Sequence, residues 1–206
     1  VKQILLNHND YEFEDRLRTI RKNRNKGAEA YRIEGDYIRN SDKRADFISN
    51  LAKNCKGNTL ILFNIIDYGK LLYEKLEKEN PDVTFHFICG EVKKKKRQEI
   101  LDDMEIDDDK KRVLIASYGT LSTGVSINNL YNVVFAESFK SESRIIQSIG
   151  RSLRNHSDKA KALIFDIVDC FSEQNQNNAF FRHGAERRRM YNEHFYPYKT
   201  LKFILD

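Results

Sequence analysis

Thr59–Glu79 reads TLILFNIIDYGKLLYEKLEKE, a short β-rich run followed by a stretch in which Leu71, Leu72 and Leu76 recur at helical spacing. Thr59–Phe63 does not alternate apolar with polar residues, so it reads as a strand covered on both faces, the condition of strands in parallel sheets. Pro81 closes the helix, because proline lacks the N–H that would continue it. A buried strand leading into an amphipathic helix is the first part of a crossover connection.

The same pairing recurs outward from this stretch. Val83–Ile88 (VTFHFI), Val113–Ser117 (VLIAS), Asn132–Ala136 (NVVFA) and Ala162–Val168 (ALIFDIV) are further strands, with helices at Lys93–Met104 and Ser141–Arg154. Strand and helix in alternation predict an α/β fold, a doubly wound, mostly parallel sheet with helices on both faces. The expected organisation is a helical lead-in over 1–55, the α/β core over 56–172 and a basic, aromatic extension over 173–206. The lead-in shows no convincing strand; it carries helices at Glu12–Lys26, ending at Gly27, and at Arg44–Lys53. The extension opens on a polar linker, Glu173–Asn178, and continues through a basic helix at Arg182–Glu193 to a last strand at Thr200–Leu205.

Composition narrows the class. The 206 residues are 40% hydrophobic and 33% charged, enough for one core beneath a well-solvated surface. Lys and Arg number 36 against 31 Asp and Glu, a net +5 that suits a polyanionic partner without requiring one. Cys55, Cys89 and Cys170 have neither metal nor redox spacing, so they read as free, packed thiols of a reducing compartment. No apolar run approaches the ~18 residues of a membrane span. No metal site is expected, and His183 and His194 read as surface histidines. The start, Val1-Lys2-Gln3, reads as an excised piece of a longer chain.

Gln147–Arg154 (QSIGRSLR) carries the chemistry. On a helix Gln147, Arg151 and Arg154 lie at i, i+4 and i+7, on one face, with Gly150 removing bulk beside them. Two stacked guanidiniums gain nothing from each other; forked donors of this kind match phosphate oxygens. The plainer alternative is a solvated helix with ordinary surface arginines.

This stretch resembles motif VI of the superfamily 2 helicases, Q-x-x-G-R-x-x-R, which lies in the second RecA-like lobe. The resemblance implies that Arg154 is an arginine finger, Arg151 a second γ-phosphate contact and Gln147 a polar organiser. ATP and Mg²⁺ would be held mainly by an N-terminal lobe of the same chain, and no cofactor bound tightly here. Such fingers are worth ~10³–10⁵ in rate in GTPases.

Other segments match in order. Leu60–Leu72 resembles motif IV, implying strand contacts near Asp67 and Tyr68 through the start of the following helix. The threonine common there is replaced by Ile66-Asp67, and Asp67 itself reads as the N-cap. Phe87–Met104 resembles the next segment, with Gly90 and Arg97 in register, though Lys93–Arg97 reads better as an exposed helix start than as a direct contact. The acidic run Asp102–Asp109 reads as a solvated turn, since negative charge opposes the dipole at a helix C-terminus.

Val113–Leu130 (VLIASYGTLSTGVSINNL) resembles motif V. Ser117, Thr120, Ser122 and Thr123 would contact phosphates and Gly124 would allow close approach to the nucleotide. Ser126 stands where an aspartate is common. The strings TGVSINNL and QSIGRSLRN resemble the phage UvsW type of repair helicase, and that resemblance implies action on branched DNA in the host cytoplasm, with sequence-independent grip of single strands and no membrane.

No G-x-x-x-x-G-K-[S/T] phosphate loop and no D-E-x-D/H run occur in the 206 residues. The chain alone is therefore expected neither to hydrolyse ATP nor to unwind a duplex. The main alternative is a non-enzymatic basic nucleic-acid-binding module on an α/β scaffold. A small doubly wound enzyme with its own nucleotide site is disfavoured, because Asn64-Ile65-Ile66-Asp67 offers no glycine-rich turn. In the extension, Arg182, Arg187, Arg188 and Arg189 interleave with Tyr191, Phe195, Tyr196 and Tyr198, a composition suited to backbone contact and base stacking. The favoured reading there is aromatics packed on the core beneath solvated arginines.

Overall fold

A computed structural model describes residues 1–22, 26–121, 127, 129–138, 162–171 and 178–205. In chain order the elements are β1 (Lys2–Asn7), α1 (Tyr11–Lys22), α2 (Gly27–Arg39), α3 (Asp42–Asn54), β2 (Thr59–Phe63), α4 (Ile66–Glu79) and β3 (Thr84–Ile88). They continue with α5 (Lys94–Met104), β4 (Arg112–Ser117), α6 (Tyr118–Leu121), β5 (Asn132–Phe135), β6 (Leu163–Cys170), α7 (Ala179–Glu193) and β7 (Lys199–Ile204). The strand order is β3-β4-β2-β5-β6-β1-β7. The pairings β1–β7, β2–β4, β2–β5 and β3–β4 are all parallel, and for β2, β4 and β5 this agrees with their nearly uninterrupted apolar runs. The chain forms two compact units, Ile48–Phe165 and Val1–Phe47 with Asp166–Asp206.

In the unit Ile48–Phe165, β2, β4 and β5 are buried along almost their whole length. The core is Leu60, Ile61, Leu62, Val113, Leu114, Ile115, Val133 and Val134, closed by Leu72 and Leu76 of α4. Gly69 lets α4 lie on β2: a Cβ there would fall 2.5 Å from the Phe63 ring. Lys111 caps the end of α3, its Nζ donating to the carbonyls of Ala52, Lys53 and Cys55 at 2.5, 2.7 and 2.6 Å.

The acidic run is only in part the solvated turn expected from helix dipoles: Asp107–Asp109 are exposed beyond the helix, but its first residues are helical. α5 extends through Asp102 and Asp103 to Met104. Arg112 supplies the opposing charge, donating from Nε to Asp103 at 3.0 Å and bidentately to Asp108 at 2.6 and 3.0 Å. His86 adds a 2.6 Å contact to Asp103. The hydrogen bond from Arg112 drops the Asp108 carboxyl to about 2.

In the other unit, two expectations for residues 1–55 give way. Lys2–Asn7 is a buried strand paired with Lys199–Ile204, so the opening residues are not purely helical. Gly27 starts α2 instead of only ending α1, and α1 and α2 pack together. Their core is Leu17, Ile38, Phe171, Ala179 and Phe180, with Phe13, Ile33 and Tyr37 against it.

The extension divides between the two readings. Arg187 and Tyr191 are buried, Arg187 donating to Asp166 at 2.7 Å and the Tyr191 hydroxyl at 2.9 Å, while Gln3 donates to the same carboxylate. Arg182 and Arg189 are exposed, and so is Phe195. Cys55, Cys89 and Cys170 are buried and form no disulfide. Among the described residues no helix is long and apolar enough to cross a membrane.

Candidate nucleic-acid interface

Register places the strand ends of the unit Ile48–Phe165 side by side. Phe63 of β2 pairs with Ser117 of β4, Leu62 with Phe135 of β5, and Ala116 of β4 with Ile88 of β3. All four strands therefore deliver their following loops to one edge, the carboxyl edge where parallel α/β sheets bind ligands. Asn64–Tyr68, Ser117–Thr120, Gly90 and Glu137 all issue from that edge.

At β4 the chain turns at once into the single turn of α6, and the Ser117 and Thr120 hydroxyls, expected as phosphate contacts, lie 2.7 Å apart. Each is thus oriented by the other. At β2 the chain passes through exposed Asn64 and Ile65 into α4. Asp67 is exposed in the first turn and does not cap the helix: the cap position is Ile65, with no side-chain hydrogen bond. An aspartate two residues inside the helix stands too far along to accept from the donors it would cap, though its charge still favours the positive end of the dipole. Tyr68 is buried in the core. Gly90 is exposed, and a Cβ there would meet nothing. Arg97 folds back, its Nη2 donating to the Val92 carbonyl at 3.3 Å.

Gln147, Gly150, Arg151 and Arg154 lie outside the described residues, as do Ser122, Thr123, Gly124 and Ser126. Among the described residues no group of three or more His, Cys, Asp or Glu is placed to hold a metal ion.

One residue of this edge was not singled out from sequence. Glu137 follows β5, is 4% exposed, and its Oε2 accepts from the backbone N–H groups of Asn64 and Ile65 at 2.7 and 2.9 Å. The Tyr118 hydroxyl donates to the Glu137 carbonyl at 2.6 Å. A carboxylate just ahead of α4 is favoured by the dipole, and it fixes the turn that aims the helix start. Glu137 so ties the loops after β2, β4 and β5 together. The available signal was an acidic residue directly after a fully buried strand.

A parallel sheet whose carboxyl edge gathers these loops matches a known class. Residues 42–156 match the helicase conserved C-terminal domain, and the chain belongs to that family. The ATP-dependent DNA helicase UvsW of Enterobacteria phage T4 is 29% identical over 181 residues, 82% of this chain and 35% of UvsW. The crystal structure of T4 UvsW superposes with a TM-score of 0.77 at 26% identity, covering 100% of this chain and 42% of that one. The chain thus spans well under half the length of this relative. The C-terminal domain of the DEAD-box protein Dbp5 shares the fold, with a TM-score of 0.60 at 13% identity over 99% of this chain and 90% of that one. So does the Sulfolobus solfataricus SWI2/SNF2 ATPase core in complex with dsDNA, with a TM-score of 0.55 at 17% identity over 82% and 41%.

Proposed function

We propose that this chain is the second RecA-like lobe of an ATP-dependent DNA helicase or translocase that acts on branched DNA in recombination, replication and repair. The observation carrying the reading is that the family match, residues 42–156, contains the whole of Gln147–Arg154 in sequence, while the described strands of the same stretch gather their loops at one edge. In this reading Arg151 and Arg154 reach the γ-phosphate of ATP held with Mg²⁺ mainly by an N-terminal lobe, and Gln147 orients them. Gly124, Ser126 and Gly150 leave room for the nucleotide. The loops carrying Ser117, Thr120, Ser122, Thr123, Asp67, Gly90 and Arg97 line the track of a single strand, with Tyr68 supporting it from beneath. Contacts to phosphates make that grip independent of sequence. The lobe core is taken as 56–172, flanked by 1–55 and 173–206. The protein acts in the host cytoplasm if phage-encoded.

Without a phosphate loop, the chain by itself is inactive as an ATPase. The deciding experiment replaces Arg151 and Arg154 with alanine in the full-length protein. ATPase activity should fall by ~10³ or more with DNA binding retained. Binding lost while hydrolysis persists would instead support a non-enzymatic nucleic-acid clamp.

A further inference from the structure

α7 ends in a motif whose geometry asks for glycine. The Tyr196 N–H donates to the Tyr191 carbonyl at 2.8 Å and the Phe195 N–H to the Asn192 carbonyl at 3.1 Å, the paired bonds of a Schellman cap. The residue between must take a left-handed backbone conformation, and Phe195 does so at φ +54°. Glycine fills that position at no steric cost, whereas a side chain with a bulky ring is strained there.

The ring recovers nothing within the fold. Phe195 is 92% exposed, while the next most exposed large hydrophobic among the described residues, Tyr11, is at 51%. A local conformation and a solvation that are both unfavourable, at one residue, mark a position kept for a contact outside the fold. Its surroundings in the chain specify the partner. Arg189, His194 and Lys199 are exposed on either side, and Tyr198 is exposed with them, while Glu193 is the one acidic residue between Arg189 and Lys199.

We propose that Phe195 is a stacking platform for an unpaired base of single-stranded nucleic acid, with the flanking cations Arg189 and Lys199 serving its phosphates. Every base has a π-face, so such a platform is indifferent to sequence, and cations beside an aromatic are the usual composition of single-strand sites. Apolar protein partners are less well matched, because they would not balance the charges that border the ring. The proposal rests on the nucleic-acid reading above and adds to it a surface in the C-terminal extension.

Phe195→Gly removes the ring and supplies the residue the cap prefers, so loss of function in this variant is not loss of folding. The full-length protein is titrated with a fluorescent oligodeoxythymidylate and with an oligonucleotide of the same length made of abasic sites. Stacking on one base predicts that Phe195→Gly weakens oligodeoxythymidylate binding by about tenfold, that Phe195→Trp restores it, and that the abasic strand binds wild type and variants alike. Equal affinity of wild type and Phe195→Gly for oligodeoxythymidylate overturns the proposal and leaves the helicase reading standing. An equal drop for the abasic strand also overturns it, since the ring would then act without a base. Failure of the wild type to bind either strand overturns both.

Discussion

Arg44 and Asp169, 125 residues apart in sequence, form a bidentate ion pair: Nε meets Oδ1 at 2.7 Å and Nη2 meets Oδ2 at 2.9 Å. Both side chains are almost wholly inaccessible, and His8 Nε2 lies 2.9 Å from the same Oδ1. The pair joins the start of α3 to the end of β6 within the unit that contains both chain ends. Burial pushes the Asp169 carboxyl up, but the Arg44 charge and the hydrogen bonds from His8 and Arg44 outweigh it and hold the group well below the ordinary carboxylate range.

Arg44→Met should therefore cost ~3–5 kcal/mol, the usual consequence of leaving one buried charge without its partner. Urea unfolding at neutral pH measures it. The sign of the pH effect follows from the direction of the shift. A carboxyl whose folded pKa is depressed contributes stability that is complete above its unfolded value, near 4, and is lost as pH falls from there toward the folded pKa. Wild-type stability should drop steeply below about pH 4, and Arg44→Met should flatten that limb. An acid limb unchanged in the variant would mean that other carboxylates govern it.

Gly184 offers a test of packing in the same unit. A Cβ added there would fall 2.5 Å from both γ-methyls of Val168, on the strand that α7 covers. Branched side chains at β6 have few alternative rotamers, so the neighbour cannot yield cheaply. Gly184→Ala should lower stability by ~1–3 kcal/mol, as overpacking does. Adding Val168→Ala to it should return part of that loss, giving a favourable coupling energy in a double-mutant cycle. Thermal melts of the four proteins settle it, and strictly additive losses would speak against the contact.

What could be read beforehand divides along a physical line. The strands at Thr59–Phe63 and Asn132–Phe135 are buried on both faces and announce themselves by composition, as does Pro81 at the end of its helix. β1 does not. Gln3 and Asn7 interrupt a run of only three apolar residues, and Gln3 is tolerated in the core only because Asp166 and the Gly184 carbonyl receive its amide. Partners more than 160 residues away decide the element. α2 was hidden by Gly27 and Gly35, residues of low helix propensity that tertiary packing overrides. Of the candidate site, the hydroxyl pair at Ser117 and Thr120 was visible as a motif. The role of Glu137 was not, because nothing local connects it to backbone donors 72 and 73 residues earlier.

Glu137 is accordingly the residue whose replacement separates geometry from charge. Its Oε2 accepts from two main-chain donors at the turn into α4, and water can reach part of that turn, since Asn64 and Ile65 are exposed. Glu137→Ala should thus cost ~1–2 kcal/mol, toward the lower end for unmade hydrogen bonds. Glu137→Gln keeps an oxygen that accepts both N–H groups and should lie within ~0.5 kcal/mol of wild type. If the turn positions the strand track, the alanine variant of the full-length protein should also need several-fold more DNA for half-maximal ATPase stimulation, with its maximal rate little changed, and glutamine should restore it. A shift that appears equally in the glutamine variant would trace the effect to the negative charge beside the helix start. No shift in either, with the stability loss present in alanine alone, would confine Glu137 to holding the fold.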